Sequence, residues 1–307
     1  MKVAITGASG MIGGALAAAL RSAGTPVCTI GRRDADFHWN PATETLDSGA
    51  FAGVSAVVHL AGATIAQRWT DAHKRSIRES RVQGTKLLAG AIAQLPSAGR
   101  PAVLVCASAV GYYGSRGDEW LDESSAHGED FLAGVCTAWE AAAQPARDAG
   151  VRVTCLRQGI VLGAHGGALA RLVPVYRFGA GGRVGDGRQW MSWIGLHDLV
   201  RAIRFCVDSA AASGPMNAVA PNPVTNAEFT QVMGRVLHRP TIAALPAFAV
   251  RTIFGEMGAA TLLASQRVRP ARLLAAGFSF DSPTLADALR RELTPAAGVA
   301  RIDADPS

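Results

Sequence analysis

The chain opens with the apolar run Val3-Ala4-Ile5, the glycine cluster Gly7-x-x-Gly10-x-x-Gly13, and then an alanine-rich apolar run from Met11 to Leu20. A buried strand that turns through glycines into a buried helix admits few folds. In that setting Gly7 permits a tight turn, Gly10 lets backbone approach a pyrophosphate, and Gly13 allows close helix packing. The free amides at the helix N-terminus face the phosphate charge. Gly7, Ser9, Gly10, Met11, Ile12 and Gly13 are therefore the expected phosphate cradle of a dinucleotide.

The next apolar run, Val27-Cys28-Thr29-Ile30, reads as the second strand and ends in Gly31-Arg32-Arg33-Asp34. An NAD site places an acidic side chain near this point to take the ribose hydroxyls. Arg32 and Arg33 instead offer guanidinium groups to a 2′-phosphate, which points to NADP(H). The competing reading makes both arginines solvated loop charges.

Further along, Val54–Leu60, Val103–Cys106 and Val151–Leu156 read as strands, and 70–95, 131–149 and 196–207 as helices. Strands alternating with helices predict an α/β fold, a Rossmann-type doubly wound parallel sheet with ligands at the carboxyl ends of its strands. A smaller, mainly helical lobe is expected on the substrate side. The expected division is a cofactor-binding domain over 1–165, rejoined by 189–225, and a substrate-side lobe from 166–188 and 226–300. His38-Trp39-Asn40-Pro41 reads as a polar connection.

The 307 residues suffice for a large core, and no internal repeat breaks the pattern. No apolar stretch approaches membrane-span length, and a strand begins almost at Met1, so a cytoplasmic protein without a membrane partner is expected. Five scattered cysteines, at 28, 106, 136, 155 and 206, have no zinc or disulfide spacing and read as buried reduced thiols. The net charge of +6 comes from dispersed arginines without lysine tracts. It suits a small anionic ligand better than nucleic acid.

These motifs resemble the extended short-chain dehydrogenase/reductase superfamily, the NAD(P)-dependent epimerases and dehydratases, over nearly the whole chain. The residues that carry the likeness are Thr6-Gly7-x-x-Gly10-x-x-Gly13, His59-Leu60-Ala61-Gly62, Val82-x-Gly84-Thr85, Ser108 through Gly114, Arg157-x-Gly159-x-Val161-Leu162-Gly163, and Trp193-Ile194-x-x-x-Asp198-Leu199. More narrowly the chain is similar to the subgroup called epimerase family protein, sugar-nucleotide epimerase and cell-division-inhibitor-like proteins. The narrower signs are Ser80-Arg81, Trp139-Glu140, Ser192-Trp193-Ile194, Asn226-Ala227-Glu228-Phe229, and the tail from Phe254 through Phe278. The resemblance implies that Leu60, Ala61 and Gly62 line the adenine and phosphate side of the cofactor. It places Arg81, where many relatives have asparagine, below the cofactor, and Gly159 and Ile160 beside the nicotinamide.

Active members of that superfamily carry a Tyr-x-x-x-Lys pair on the helix after the serine-bearing strand, the lysine lowering the tyrosine pKa. Here that helix reads Phe131 to Glu140, with Cys136 at the tyrosine position and Glu140 at the lysine position. A buried thiol is usually inert, and a carboxylate raises a neighbouring acid's pKa. The remaining catalytic candidates are Ser108, donating to a substrate carbonyl or hydroxyl, and Tyr112 or Tyr113, supplying a proton. Strand-end capping and packing are the alternatives for all three. Arg157 reads equally as a ligand for a substrate anion or as a salt-bridged structural residue. Arg177, Arg183 and Arg188 read as pyrophosphate ligands or as solvated charges, and His197-Asp198 as a helix start.

The expected function is an NADP(H)-dependent oxidoreductase or epimerase of a small polar substrate, such as a nucleotide sugar, with no metal. The rival expectation is a non-catalytic NADP(H)-binding sensor. A lobe from about Asn226 onward is expected to close over the nicotinamide end.

Overall fold

Val3–Thr6 (β1) is buried on both sides of its strand, as a central parallel strand must be. The computed structural model describes residues 1–294; positions 295–300 of the expected lobe lie outside them. The glycine turn leads into α1 (Met11–Ser22), then β2 (Val27–Gly31), β3 (Phe37–Asn40), β4 (Thr45–Leu46) and β5 (Ala56–His59). Next come α2 (Asp71–Gln94), β6 (Val103–Ala109), β7 (Trp120–Leu121), α3 (Phe131–Ala141), α4 (Gln144–Asp148) and β8 (Arg152–Gln158). Eight strands pair in the order β13-β8-β6-β5-β1-β2-β3-β4, where β13 is Gly214–Ala218. Every pairing is parallel except the edge pair β3–β4. Strand order reverses at β1, with β2 on one side and β5 on the other, which opens a crevice at their carboxyl ends.

Side chains alternate across the sheet. Val3 and Ile5 pack with Leu16 of α1 and with Leu199 and Ile203 of α6 (Leu196–Asp208). Ala4, Val57 and Leu104 pack on the other face with Leu88 and Ile92 of α2 and Ala146 of α4. Helices on both faces make the doubly wound arrangement the sequence predicts.

Two local readings differ. The helix expected over 131–149 breaks between α3 and α4, where Pro145 sits in the first turn of α4. Proline lacks the N–H an uninterrupted helix would need there, but fits a helix start. Of the polar connection expected at His38–Pro41, His38, Trp39 and Asn40 lie instead in β3, tied to the core by the buried Trp39, and Pro41 opens a short 3-10 turn.

Beyond β8 the chain forms β9 (Ile160–Gly163), α5 (Gly167–Arg177), β10 (Gly182–Val184), β11 (Trp190–Met191) and β12 (Trp193–Gly195). After β13 follow β14 (Val224–Thr225), α7 (Asn226–Leu237), β15 (Ala243–Leu245), α8 (Ala247–Thr261), β16 (Arg267–Val268), α9 (Ala271–Ala275) and α10 (Leu285–Leu293). A third core gathers around the fully buried Trp193, with Leu162, Leu169, Tyr176, Phe229 and Leu289. Leu273 of α9 and Phe278 return to the core beneath the main sheet, Phe278 packing edge-on against Phe205 of α6. All five cysteines are buried and free. Among the described residues no helix is long and apolar enough to cross a membrane.

Candidate functional site

Gly7 lies at φ 70°, the left-handed region, and a Cβ there would stand 2.9 Å from the Ala61 nitrogen. A Cβ on Gly13 would collide with the Gly7 carbonyl oxygen. The turn therefore closes only with glycine at both places. Gly10 caps α1 without any side-chain cap, and no acidic residue stands in the first turn. The leading amides of a twelve-residue helix thus keep their positive end for an outside anion. Ser9 and Gly10 are exposed at this rim, while the Met11 side chain packs on Gly163 and Gly166.

At the end of β2, Asp36 takes the Thr29 amide at 2.8 Å and the Thr29 hydroxyl at 2.9 Å. These bonds pin an arch from which Arg32 and Arg33 project into solvent. Neither arginine forms an ion pair among the described residues.

The ends of β1 and β5 are tied through Thr6. Its Oγ1 accepts from the Leu60 and Ala61 amides at 3.1 and 3.3 Å and lies 2.6 Å from His59 Nδ1. Having accepted twice, the hydroxyl donates to Nδ1, so His59 is neutral with its proton on Nε2. Complete burial pushes the His59 pKa down to about 4. Leu60 and Ala61 are half-buried beside the glycine turn and Gly62 is exposed. Arg81 donates to the carbonyls of Ala63 and Ile77 at 3.0 and 3.1 Å, its guanidinium 5.0 Å from the Trp139 ring centroid. Burial lowers its pKa. Across the crevice a Cβ on Gly159 would lie 2.5 Å from the Ser192 carbonyl oxygen, which accepts from the Ile160 amide at 2.8 Å.

At the ends of β6 and β8 a second cluster forms. Arg157 grips Glu140 with two bonds, Nε to Oε1 at 2.8 Å and a terminal nitrogen to Oε2 at 2.9 Å. Ser108 Oγ donates to Glu140 Oε1 at 2.7 Å. A carboxylate cannot return a proton, so Ser108 presents lone pairs to any further partner. The one hydroxyl proton with which Ser108 was expected to donate to a substrate carbonyl or hydroxyl is thus committed to Glu140 in this structure. Burial works against the Arg157 charge, but the bonds and charge of Glu140 prevail and raise its pKa. Arg157 is thus the salt-bridged residue of the two readings left open.

Tyr113 is fully buried, and its hydroxyl lies 2.7 Å from Asn217 Oδ1 and 3.1 Å from an Arg157 nitrogen. Burial pushes its pKa up to about 12. Tyr112 is half-buried; its ring stacks 3.4 Å from the Arg157 guanidinium carbon, and its hydroxyl has no protein partner among the described residues. Cys136 is buried, and burial followed by the Glu140 charge pushes its thiol up to about 12. A thiol held neutral cannot act as the base that tyrosine would supply.

The structure thus brings Ser108, Tyr112 and Tyr113 together around Glu140 and Arg157, and keeps Arg177, Arg183 and Arg188 exposed and without ion pairs among the described residues. Glu140 as a partner of Ser108 and Arg157 is absent from the sequence reading. A signal existed: it is the one charged residue between Phe131 and Ala143, and a charge on so apolar a helix is buried only when paired.

A doubly wound sheet with an uncapped glycine turn at its switch point defines the Rossmann-type class of α/β proteins. The chain belongs to the NAD dependent epimerase/dehydratase family, whose model matches residues 3–219. Residues 245–292 match a separate domain of unknown function, DUF1731. An epimerase family protein of Mycobacterium bovis is 48% identical over 292 residues, covering 94% of this chain and 96% of that one. The human epimerase family protein SDR39U1, in a crystal structure with NADPH, superposes with a TM-score of 0.88 at 33% identity, covering 95% and 98% of the two chains. A nucleoside-diphosphate sugar epimerase from Corynebacterium glutamicum gives a TM-score of 0.80 at 39% identity, and the match spans 95% of this chain but 58% of that longer one.

Proposed function

We propose that the protein is an NADP(H)-dependent oxidoreductase or epimerase acting on a small polar substrate, nucleotide sugars included. The observation that carries this reading is the open phosphate cradle, an uncapped helix N-terminus closed by Gly7 and Gly13, beside two unpaired arginines at the end of β2. The human relative's NADPH supports the choice of phosphorylated cofactor. Gly7, Ser9, Gly10, Met11, Ile12 and Gly13 would hold the pyrophosphate, and Arg32 with Arg33 the 2′-phosphate. Leu60, Ala61, Gly62 and Arg81 would line the adenine side, and Gly159 with Ile160 the nicotinamide. When bound, the nicotinamide supplies or accepts a hydride.

Ser108 would accept from the reacting hydroxyl of the substrate, oriented by its own bond to Glu140. Tyr112, whose hydroxyl is uncommitted, is the better of the two tyrosines for moving a proton; Tyr113 braces Arg157 and Asn217. The chain from Asn226 onward would supply the cover on the substrate side, lowering water access during hydride transfer.

One observation favours the rival reading of a non-catalytic NADP(H) sensor: Cys136 and Glu140 occupy the places of the usual acid–base pair, and Glu140 is locked to Arg157. Fluorescence titration with NADPH and NADH tests the shared part of both readings, with tighter NADPH binding expected and equal affinity refuting it. Turnover of carbonyls or nucleotide sugars by the loaded protein then separates enzyme from sensor.

A further inference from the structure

Arg267 differs from every arginine described above. Its guanidinium lies between two indoles, 4.1 Å from the Trp120 ring centroid and 4.0 Å from that of Trp190. Three separate strands build this clamp. Arg267 of β16 stands opposite Trp120 of β7 in a parallel pair, and the Gln266 amide donates to the Trp190 carbonyl of β11 at 3.1 Å. The Trp190 indole is itself fixed, its Nε1 donating to Asp118 Oδ1 at 2.8 Å. Among the described residues no carboxylate pairs with Arg267, and its buried Nε donates to nothing.

Two aromatic faces hold a guanidinium in plane and favour its charge without neutralising it. What stays open is the edge, whose in-plane N–H groups fit the paired oxygens of a carboxylate or phosphate. Arg157 has the same fork, but Glu140 occupies it. Arg177, Arg183 and Arg188 are exposed, and among the described residues they have neither an ion pair nor an aromatic ring stacked on them. The position also suits a substrate. Ser192 Oγ donates to the Gln266 carbonyl at 2.7 Å and accepts from the Val268 amide at 2.9 Å, so the segment bearing Arg267 is fastened on both sides to the residue against which Gly159 packs.

We propose that Arg267, clamped by Trp120 and Trp190, is the subsite for an oxyanion carried by the substrate, a carboxylate or a phosphate. The assignment rests on the reading that Gly159 and Ile160 flank the nicotinamide; the clamp itself does not depend on it.

The test uses NADPH-saturated full-length protein labelled with nitrogen-15 at its six tryptophans, with Trp120→Phe and Trp190→Phe assigning their indole signals. Malonate and inorganic pyrophosphate are the probes, one for each source of oxyanion. Saturable shifts of both assigned signals are expected, with affinity at least tenfold weaker in Arg267→Met and in Arg267→Lys, each variant binding NADPH like the parent. The anion with the lower half-saturation identifies the source. Arg267→Lys keeps stem and charge and loses only the two-point edge, so it carries the test if Arg267→Met fails to fold. Absence of shifts with both anions, or shifts undiminished in the variants, overturns the proposal. If NADPH does not bind the parent protein while the indole response persists, the cofactor reading fails and the anion subsite stands.

Discussion

At the carboxyl end of β1 polar groups are left open, whereas at the ends of β6 and β8 on the same sheet they are matched within the protein. The first region offers uncapped amides and unpaired arginines. In the second, Ser108, Glu140, Arg157, Tyr113 and Asn217 satisfy one another. Open donors cost little at a solvent-facing rim and are ready for a ligand, while the same groups buried would each carry a desolvation penalty. The difference separates a region shaped for binding from one whose geometry is maintained by internal pairing.

The largest effect should come from breaking the matched region. Glu140→Ala strands the Arg157 charge in the interior and is expected to destabilise the fold by about 4 kcal/mol, measured by urea unfolding. A loss below about 1 kcal/mol would mean that water reaches Arg157 freely.

Acid should act on the other region. The folded-state pKa of His59 lies at about 4, below the 6.5 of the free side chain, so the unfolded chain binds the extra proton between those values. Stability is therefore full above pH 6.5 and declines as pH falls toward 4, by about 3 kcal/mol. Hydrogen exchange across that window should open Thr6–Gly7 and Leu60–Ala61 before the β6–β8 pair. His59→Asn should flatten the pH dependence; an unchanged slope would assign it to another group.

Ser108→Ala removes the proposed acceptor without touching the cradle. Once a substrate is in hand, turnover should fall about a hundredfold with NADPH affinity unaltered. Turnover equal to that of the parent would exclude Ser108 from the chemistry, and full activity in Tyr112→Phe would do the same for Tyr112.

The smallest effect sharpens the open region alone. Arg32→Ala should narrow the preference for NADPH over NADH by about 2 kcal/mol while leaving the unfolding midpoint in place. A preference that survives intact would shift the 2′-phosphate to Arg33.

The open region was legible because its physics is local: Gly7, Gly10 and Gly13 and the Arg32-Arg33 pair sit within about thirty residues, each fixed by backbone geometry or strand position. The sheet was legible for the same reason, since runs such as Val103–Cys106 are apolar throughout. The matched region joins residues 32 and 17 positions apart in Ser108–Glu140 and Glu140–Arg157, so the sequence could name Arg157 but not choose its partner. The Arg267 clamp draws on Trp120, Trp190 and β16, and no local pattern announces it. The break at Ala142–Ala143 was readable from Pro145, whose missing N–H marks a helix start.

Leu273 and Phe278 join the core under the main sheet, Phe278 with its ring 5.5 Å from that of Phe205 on α6, although they follow α7 and α8 in the chain. Removing everything after residue 225 would therefore not liberate a free-standing nucleotide-binding half. It would bare an oily strip on α6 and the sheet, and the shortened chain would be prone to clump or to need a chaperone. Residues on both sides of the point where the epimerase match ends, at 219, thus share one core. A protease cut in the loops between the two matched stretches should leave both pieces bound together under native conditions.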